Sequence, residues 1–315
     1  MPVNPVPSII FMGTPDFAVP TFQALHRAPV DLKLVVTQPD RPKGRGRRLS
    51  PPPVKVAAEA LGYEVLQPAT VRDEAFIESL KSIAPDFLVV VAYGQILPAT
   101  VLQIPRHGAI NVHGSLLPRY RGPAPIQWAI MRGENQTGVT TILMDTGVDT
   151  GDMLLSARTP ITSEDTSASL HDRLARMGAD LLTETIEGIV RGTVLPCTQN
   201  HTQATYAPML NKKHGRIDWR RSARSIDAQI RALTPWPGAY CRFGTKRLRI
   251  HLAQPISGVP ISPPGMVMPG FPDELRIATG EGALSILEIQ AESGKRMPIK
   301  DFLMGTSIPL GATFT

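Results

Sequence analysis

The sequence predicts an α/β protein: a Rossmann-like, doubly wound and mostly parallel sheet over residues 1–192, a linker over 193–206, and a smaller C-terminal β-barrel over 207–315. Three observations predict it. Short apolar runs alternate with helix-length apolar periodicities through the first two-thirds, the pattern of parallel strands joined by crossover helices. Beyond residue 204 the pattern becomes short strands separated by Gly/Pro turns. The charge divides at the same place: residues 1–204 hold 18 Lys+Arg against 19 Asp+Glu, and residues 205–315 hold 15 against 8.

Residues 8–13 are an apolar run ending in Gly13, after which Pro15 and Asp16 open a helical pattern through Phe17, Val19, Phe22 and Leu25. Strand, tight turn and helix resemble the first unit of a nucleotide-binding sheet, but one glycine without GxGxxG gives a dinucleotide only weak support. Residues 32–37 are the second strand. Helix 53–61, strand 64–66 and helix 72–82 then lead to residues 86–91, the most continuous apolar run of the first half and therefore a central parallel strand buried on both faces. Strand 108–113, helix 125–132, strands 138–144 and 153–159 and a long helix over 167–191 complete the domain.

The stretch 193–204 is polar and aperiodic and reads as the interdomain linker. Beyond it Ala223, Ile226, Ile230 and Leu233 share one helix face, while Arg220, Arg224 and Arg231, at spacings of four and seven, share another that could lie on phosphate. Trp236 is expected to pack rather than to stack on a base. Strands around 240–243, 246–252, 274–278 and 283–289 make the barrel, with Lys246, Arg247 and Arg249 on or beside its surface.

Composition excludes several classes. The chain of 315 residues is 42% hydrophobic, enough for two ordinary cores. Cys197 and Cys241 have no CxxC or Cys/His spacing, which argues against a disulfide scaffold or zinc site and for a reducing cytosol. The N-terminus lacks a basic and then apolar leader, and no apolar run approaches the ~20 residues of a membrane span, so a cytoplasmic protein is expected. A monomer is expected as well. The basic surplus of the last third suits a polyanion such as RNA; a solvated basic surface is the other reading. Residues 38–53 are far longer than the usual ~2–6 residue connection. They carry Arg41, Lys43, Arg45, Arg47 and Arg48 among glycines, either as an RNA-contacting loop that folds onto its target or as a solvated charge run.

The chemistry concentrates at residues 110–125. Asn111 and His113 lie two apart on a strand and so project from one face, and Gly114 and Ser115 break that strand where an open α/β sheet keeps its ligand crevice. The later loop 145–152 holds Asp145, Asp149 and Asp152. Its Asp-x₃-Asp-x₂-Asp spacing lacks the ligand count and final Glu of a calcium loop. Ser115 lacks the Gly-x-Ser-x-Gly elbow of a nucleophile. Taken singly, Asn111 could cap a turn, His113 could be a satisfied core residue and Asp149 an ordinary turn residue.

Taken together with Ser115, Leu116, Leu117 and Pro118, with Arg121-Gly122 and Ala124-Pro125, and with segments 11–17 and 215–219, these residues resemble the folate-dependent formyltransferases, and among them those acting on methionyl-tRNA. The resemblance covers nearly the whole chain. It implies 10-formyltetrahydrofolate as co-substrate, no metal, initiator methionyl-tRNA as partner, and a role in starting protein synthesis. It implies Asn111 and His113 as stabilisers of the oxyanion and Asp149 as an assistant in proton transfer. It places Ser115, Leu116, Leu117, Pro118, Tyr93, Gly94, Ile96 and Leu97 around the folate, the 93–97 loop mainly through backbone groups. It makes the C-terminal domain OB-like and brings the 41–48 loop to the acceptor end of the tRNA, with Arg45 the leading candidate. Lys212, Arg220 and Arg224 are further candidates for RNA. Phe17 matches a position that contacts the methionyl side chain, and fits its helix's apolar face equally well. Two other readings stand beside this one: a sister enzyme acting on a ribonucleotide or an aminosugar nucleotide, and a non-catalytic RNA-binding protein.

Overall fold

The computed structural model describes residues 6–43, 48–259 and 262–315. The chain divides into two compact units, one of Met1–Gly122, Thr137–Thr159 and His171–Ala207, the other of Pro123–Gln136, Pro160–Leu170 and Pro208–Thr315.

The first unit is built on a seven-stranded sheet. Its strands are β1 (Ser8–Gly13), β2 (Asp31–Val36), β5 (Val65–Leu66), β6 (Phe87–Val91), β7 (Ala109–His113), β8 (Gln136–Leu143) and β9 (Asp152–Pro160), with a separate hairpin of β3 (Arg41–Lys43) and β4 (Arg48–Ser50) between β2 and β5. The sheet order is β5-β2-β1-β6-β7-β8-β9. Pairs from β5 to β7 are parallel and β7 with β8 is antiparallel, Asn111 facing Ile142 and His113 facing Thr140. Every residue of β6 is buried, as a strand fourth of seven in a covered sheet must be. Helices α1 (Val19–Arg27), α2 (Pro53–Ala60), α3 (Glu74–Ile83), α4 (Ala99–Leu102) and most of α6 (Ser167–Val190) belong to this unit. Ile10, Met12, Leu34, Val36, Leu88 and Val90 alternate along three strands and meet Phe76 and Leu80 of α3 in one core.

Two expectations change here. Segment 38–53 is not wholly irregular: Arg41 pairs with Ser50 and Lys43 with Arg48 in the hairpin. Strands of three residues are too short for an alternation to register in the sequence. Arg45 and Arg47 lie outside the described residues. The segment read as the interdomain linker makes backbone hydrogen bonds to the first unit. Met153 and Cys197 exchange a pair at 2.8 Å each, Arg121 N–H donates to Thr205 O at 2.8 Å, and Ala207 N–H to Arg121 O at 2.7 Å. Main-chain pairing leaves no side-chain period, so the stretch looked structureless.

The second unit is an antiparallel half-barrel of β10 (Ala239–Phe243), β11 (Lys246–Ile256), β12 (Val267–Met268), β13 (Leu275–Ala278), β14 (Ala283–Ala291) and β15 (Met297–Pro298), in the order β10-β11-β14-β13-β12 with β15 on β14. Helix α7 (Ala223–Leu233), capped by Ser222, buries Ile226 and Ile230 against Leu248, Ile250, Leu284 and Ile286, and α8 (Ile299–Gly305) adds Phe302 to the same core. Segments 123–136 and 160–170, placed by the sequence in the first domain, cluster with this unit instead. Helix α5 (Pro125–Met131) sits there because Ala124, Trp128 and Met131 pack on Leu210 and Leu233, and Trp128 Nε1 donates to Pro208 O at 2.8 Å. Trp236 is 56% exposed rather than packed, since α7 ends before it and its apolar face stops at Leu233. Among the described residues no helix is long and apolar enough to cross a membrane.

Candidate active site

Strand β7 carries Asn111 and His113 to its C-terminal end on one face, as the two-residue period requires. His113 is buried, and its Nε2 lies 2.9 Å from Tyr120 O. A carbonyl only accepts, so Nε2 holds the proton, and Nδ1 faces Asp149 Oδ1 at 3.5 Å. Asn111 Nδ2 points at the same oxygen from 3.4 Å. The other carboxylate oxygen of Asp149 accepts from Gly122 N–H at 2.7 Å. An amide, an imidazole and a carboxylate from opposite ends of a 38-residue span are thus brought together.

The loop that delivers Asp149 is tightly specified. Asp149 itself is left-handed, with φ +53°, a conformation that costs most side chains about 1 kcal/mol and that Asp and Asn tolerate best. Its carbonyl and that of Gly151 both accept from Gln199 Nε2, at 2.9 and 2.7 Å. A Cβ on Gly151 would stand 1.9 Å from Leu143 O, so only glycine fits the crossing. Asp145 turns its carboxylate inward to Gly147 N–H at 3.0 Å and the Thr150 hydroxyl at 2.7 Å. Among the described residues no three His, Cys, Asp or Glu side chains converge as a metal site.

The turn after β7 is held by side chains to backbone. Ser115 Oγ donates to Arg119 O at 2.6 Å, and Thr140 Oγ1 donates to Ser115 O at 2.7 Å while accepting from Leu117 N–H at 3.2 Å. Ser115, Leu116, Leu117 and Pro118 therefore build the turn, and the serine hydroxyl is committed to it.

A cleft of about 140 Å³ opens beside the three polar residues, lined by Ile96, Leu97, Asn111, Ile142, Val148 and Asp149 among others. Of the residues expected around a co-substrate, Ile96 and Leu97 line this cleft. Gly94, with φ +96°, shapes the loop. Tyr93 is packed into the core, where burial pushes its hydroxyl up to about 12.

The basic candidates are dispersed. Arg41 is exposed and donates to Gln38 Oε1 at 3.0 Å. Beside it the carboxyl of Asp40 is held below its ordinary range by hydrogen bonds from Gln67 and Lys55. Lys43 and Arg48 are backbone register partners in the hairpin. Lys212 and Arg224 are exposed. The stripe expected along α7 does not exist. Arg220 precedes the N-cap and grips Asp218 with two bonds of 2.8 and 2.9 Å, which holds that carboxyl down to about 2. Arg231 is largely buried, paired with Asp227 at 2.8 Å and donating to Asp165 O at 2.9 Å. Helical spacing cannot tell a solvated arginine from one that turns back on a carboxylate a turn away.

Sequence reasoning missed Gln199 and the inward role of Arg121. Gln199 sits in a polar stretch with no period, and the only signal at Arg121 is a cation among glycine and proline beside a strand end.

A mostly parallel sheet with an amide, an imidazole and a carboxylate gathered at the end of one strand, followed in the chain by an antiparallel half-barrel, defines an α/β protein with one polar cleft for chemistry and an added C-terminal domain. Two family models match: Formyl transferase over residues 8–186, and Formyl transferase, C-terminal domain, over residues 209–307. The chain belongs to the formyl transferase family. Within it, the chain groups with the methionyl-tRNA formyltransferases. It is 50% identical over 303 residues to the one from Citrifermentans bemidjiense, covering 96% of this chain and 95% of that one. It is 47% identical over 304 residues to the one from Caldanaerobacter subterraneus subsp. tengcongensis, covering 96% and 98%. Among solved structures, the N-formyltransferase from Helicobacter canadensis in complex with folinic acid and dTDP-3-aminofucose superposes with a TM-score of 0.64 at 19% identity, over 93% of this chain and all of that one. HypX from Aquifex aeolicus in complex with tetrahydrofolic acid gives 0.62 at 18% identity over 94% of this chain, which spans about half (46%) of that longer protein. At such identities the structures speak to the fold.

Proposed function

We propose that the protein, as a monomer, transfers the formyl group of 10-formyltetrahydrofolate to the α-amino group of methionyl-initiator-tRNA, supplying the blocked amino acid that starts protein synthesis. The supporting observation is the convergence of Asn111, His113 and Asp149 at 3.4–3.5 Å beside a cleft at the sheet's carboxyl edge. In this reaction the amine nitrogen attacks the formyl carbon, the carbon–oxygen double bond opens to an oxyanion, and the bond to the folate N10 then breaks. Asn111 donates from Nδ2 to the developing oxyanion. His113, with Nε2–H already given to Tyr120 O, donates from Nδ1 when charged, and Asp149 stabilises that charge. One proton must leave the attacking nitrogen and one must reach N10; Asp149, directly or through a water, carries it. No covalent acyl-enzyme is needed. The folate lies against Ile96, Leu97 and the backbone of residues 93–97.

The tRNA is engaged by cations of the 41–48 loop, with Arg45 foremost, and by exposed residues of the second unit such as Lys212 and Arg224. The excess of 15 Lys+Arg over 8 Asp+Glu in residues 205–315 supports this. The test is to incubate purified protein with labelled 10-formyltetrahydrofolate and charged initiator or elongator methionyl-tRNA. Label should appear on initiator methionyl-tRNA, and Asn111→Ala, His113→Ala and Asp149→Ala should each lower the transfer rate by at least about 10²-fold. Turnover near wild type in any one of them removes that residue from the mechanism, and transfer to a nucleotide sugar in place of tRNA overturns the substrate.

A further inference from the structure

Two of the three polar groups read above as acting on substrate, His113 and Asp149, are aimed by one short loop, and that loop is itself held from outside the sheet. Tyr120 O fixes the ring of His113 at 2.9 Å, and Gly122 N–H fixes Asp149 at 2.7 Å. Between them lies Arg121, 2% exposed. Its guanidinium donates to Gln199 Oε1 from Nε at 3.2 Å and from Nη2 at 2.6 Å, and Nη2 also meets His201 Nδ1 at 3.0 Å. Its backbone is gripped by Thr205 and Ala207. Gln199, 3% exposed, spends its other end on the opposite loop: Nε2 donates to Asp149 O and Gly151 O. One buried amide therefore ties the loop that orients His113 to the loop that delivers Asp149.

We propose that Gln199 is a positioning residue for formyl transfer. It holds Asp149 in its left-handed conformation by donating to two carbonyls, while its oxygen anchors Arg121. A primary amide suits both ends, since its two N–H bonds serve two carbonyls while its oxygen accepts from the arginine, whereas a hydroxyl or a neutral imidazole has one hydrogen to donate. Asp149 needs the help. Its conformation is one that L residues seldom adopt, and it persists where surrounding bonds over-determine it. A shift of about 1 Å in a group that must meet a reacting atom costs on the order of 10²-fold in rate.

The inference rests on the reading of Asn111, His113 and Asp149 as the transfer site, and the experiment separates the two. Gln199→Glu keeps an acceptor for Arg121 and replaces the donor facing the carbonyls of Asp149 and Gly151 by an oxygen that repels them. Steady-state transfer to methionyl-tRNA is measured with the thermal midpoint, alongside His113→Ala and Asp149→Asn. The expected result for Gln199→Glu is a kcat lower by roughly 10- to 100-fold, with KM for tRNA within about twofold of wild type, measured well below the variant's own melting temperature, which the lost buried hydrogen bonds should lower by a few degrees. Wild-type kcat in Gln199→Glu, with the other two variants inactive, overturns the positioning role alone. A rise confined to KM for tRNA, or a kcat loss seen only where melting has begun, also overturns it. Wild-type rates in His113→Ala and Asp149→Asn overturn both readings. Should Gln199→Glu fail to fold, Gln199→Met, which loses donor and acceptor but adds no charge, is assayed well below its melting temperature against wild type at the same temperature, with the same fall in kcat expected and wild-type kcat again fatal.

Discussion

Asp149 shows how much a single residue can owe to its surroundings. Spacing and composition do not mark it out among three aspartates of one loop; in the sequence only the family resemblance does. What distinguishes it is a left-handed backbone, two hydrogen bonds to its carboxylate and one to its carbonyl. Asp145, four residues earlier, points into its own loop instead. The cysteines make a similar contrast. Cys241 is buried on β10, and burial pushes its thiol up to about 12, so it stays protonated and unreactive through mildly alkaline pH. Cys197 is exposed. A disulfide-exchange reagent at pH 8 should therefore titrate one thiol per native chain, falling to none in Cys197→Ser and rising to two in denaturant. Two fast thiols in the native protein would contradict the packing of the half-barrel. Asn111 and His113 were legible as a pair because a strand's period of two is visible in sequence; the nitrogen of His113 that faces Asp149 was not, because that is decided by the Tyr120 carbonyl seven residues on.

At the scale of elements, strands and helices followed from their apolar periods, and the exceptions have a common cause. The β3–β4 hairpin and the 193–207 segment are organised by main-chain hydrogen bonds, which leave no side-chain pattern to read. Loop 145–151, which crosses the end of β8, is held instead by the side chains of Asp145 and Gln199, again without a period to read, and it is sharply constrained. Gly151→Ala sets a methyl against the Leu143 carbonyl at 1.9 Å, where no flexible side chain can yield, so the loop must move and carry Asp149 with it. Transfer should fall by roughly 100-fold or more. Gly305→Ala, where a Cβ meets nothing and the backbone is helical, should leave activity unchanged and stability equal or up to about 1 kcal/mol higher. A Gly151→Ala enzyme with full activity would mean that the loop's position is not what delivers the carboxylate. The false stripe on α7 teaches the reverse lesson. Arg231 satisfies the helical period, yet its partner Asp227 satisfies it too, and the pair closes on itself.

At the scale of the molecule, the formal charge of +6 resides in the last third of the chain, where the half-barrel lies. Attraction to a polyanion by such a surplus is released by salt, whereas a small co-substrate held in a cleft is far less affected. Raising monovalent salt from 50 to 200 mM should therefore raise KM for tRNA by roughly ten- to a hundredfold if about three phosphates are neutralised, and change KM for the folate little. Equal salt dependence of the two constants would remove the electrostatic account of tRNA binding.

The order of strands and helices, the two-part architecture, the placing of Asn111 and His113 on one strand face and the polarity of charge along the chain could all be read from local periodicity and composition, since each depends on residues a few positions apart. The division of segments 123–136 and 160–170 into the second unit, the approach of Asp149 to His113 and the buried bridge through Arg121 and Gln199 could not. Those depend on which distant backbones pair and which carbonyls are left to be satisfied, and a one-dimensional pattern holds no record of that until the chain has folded.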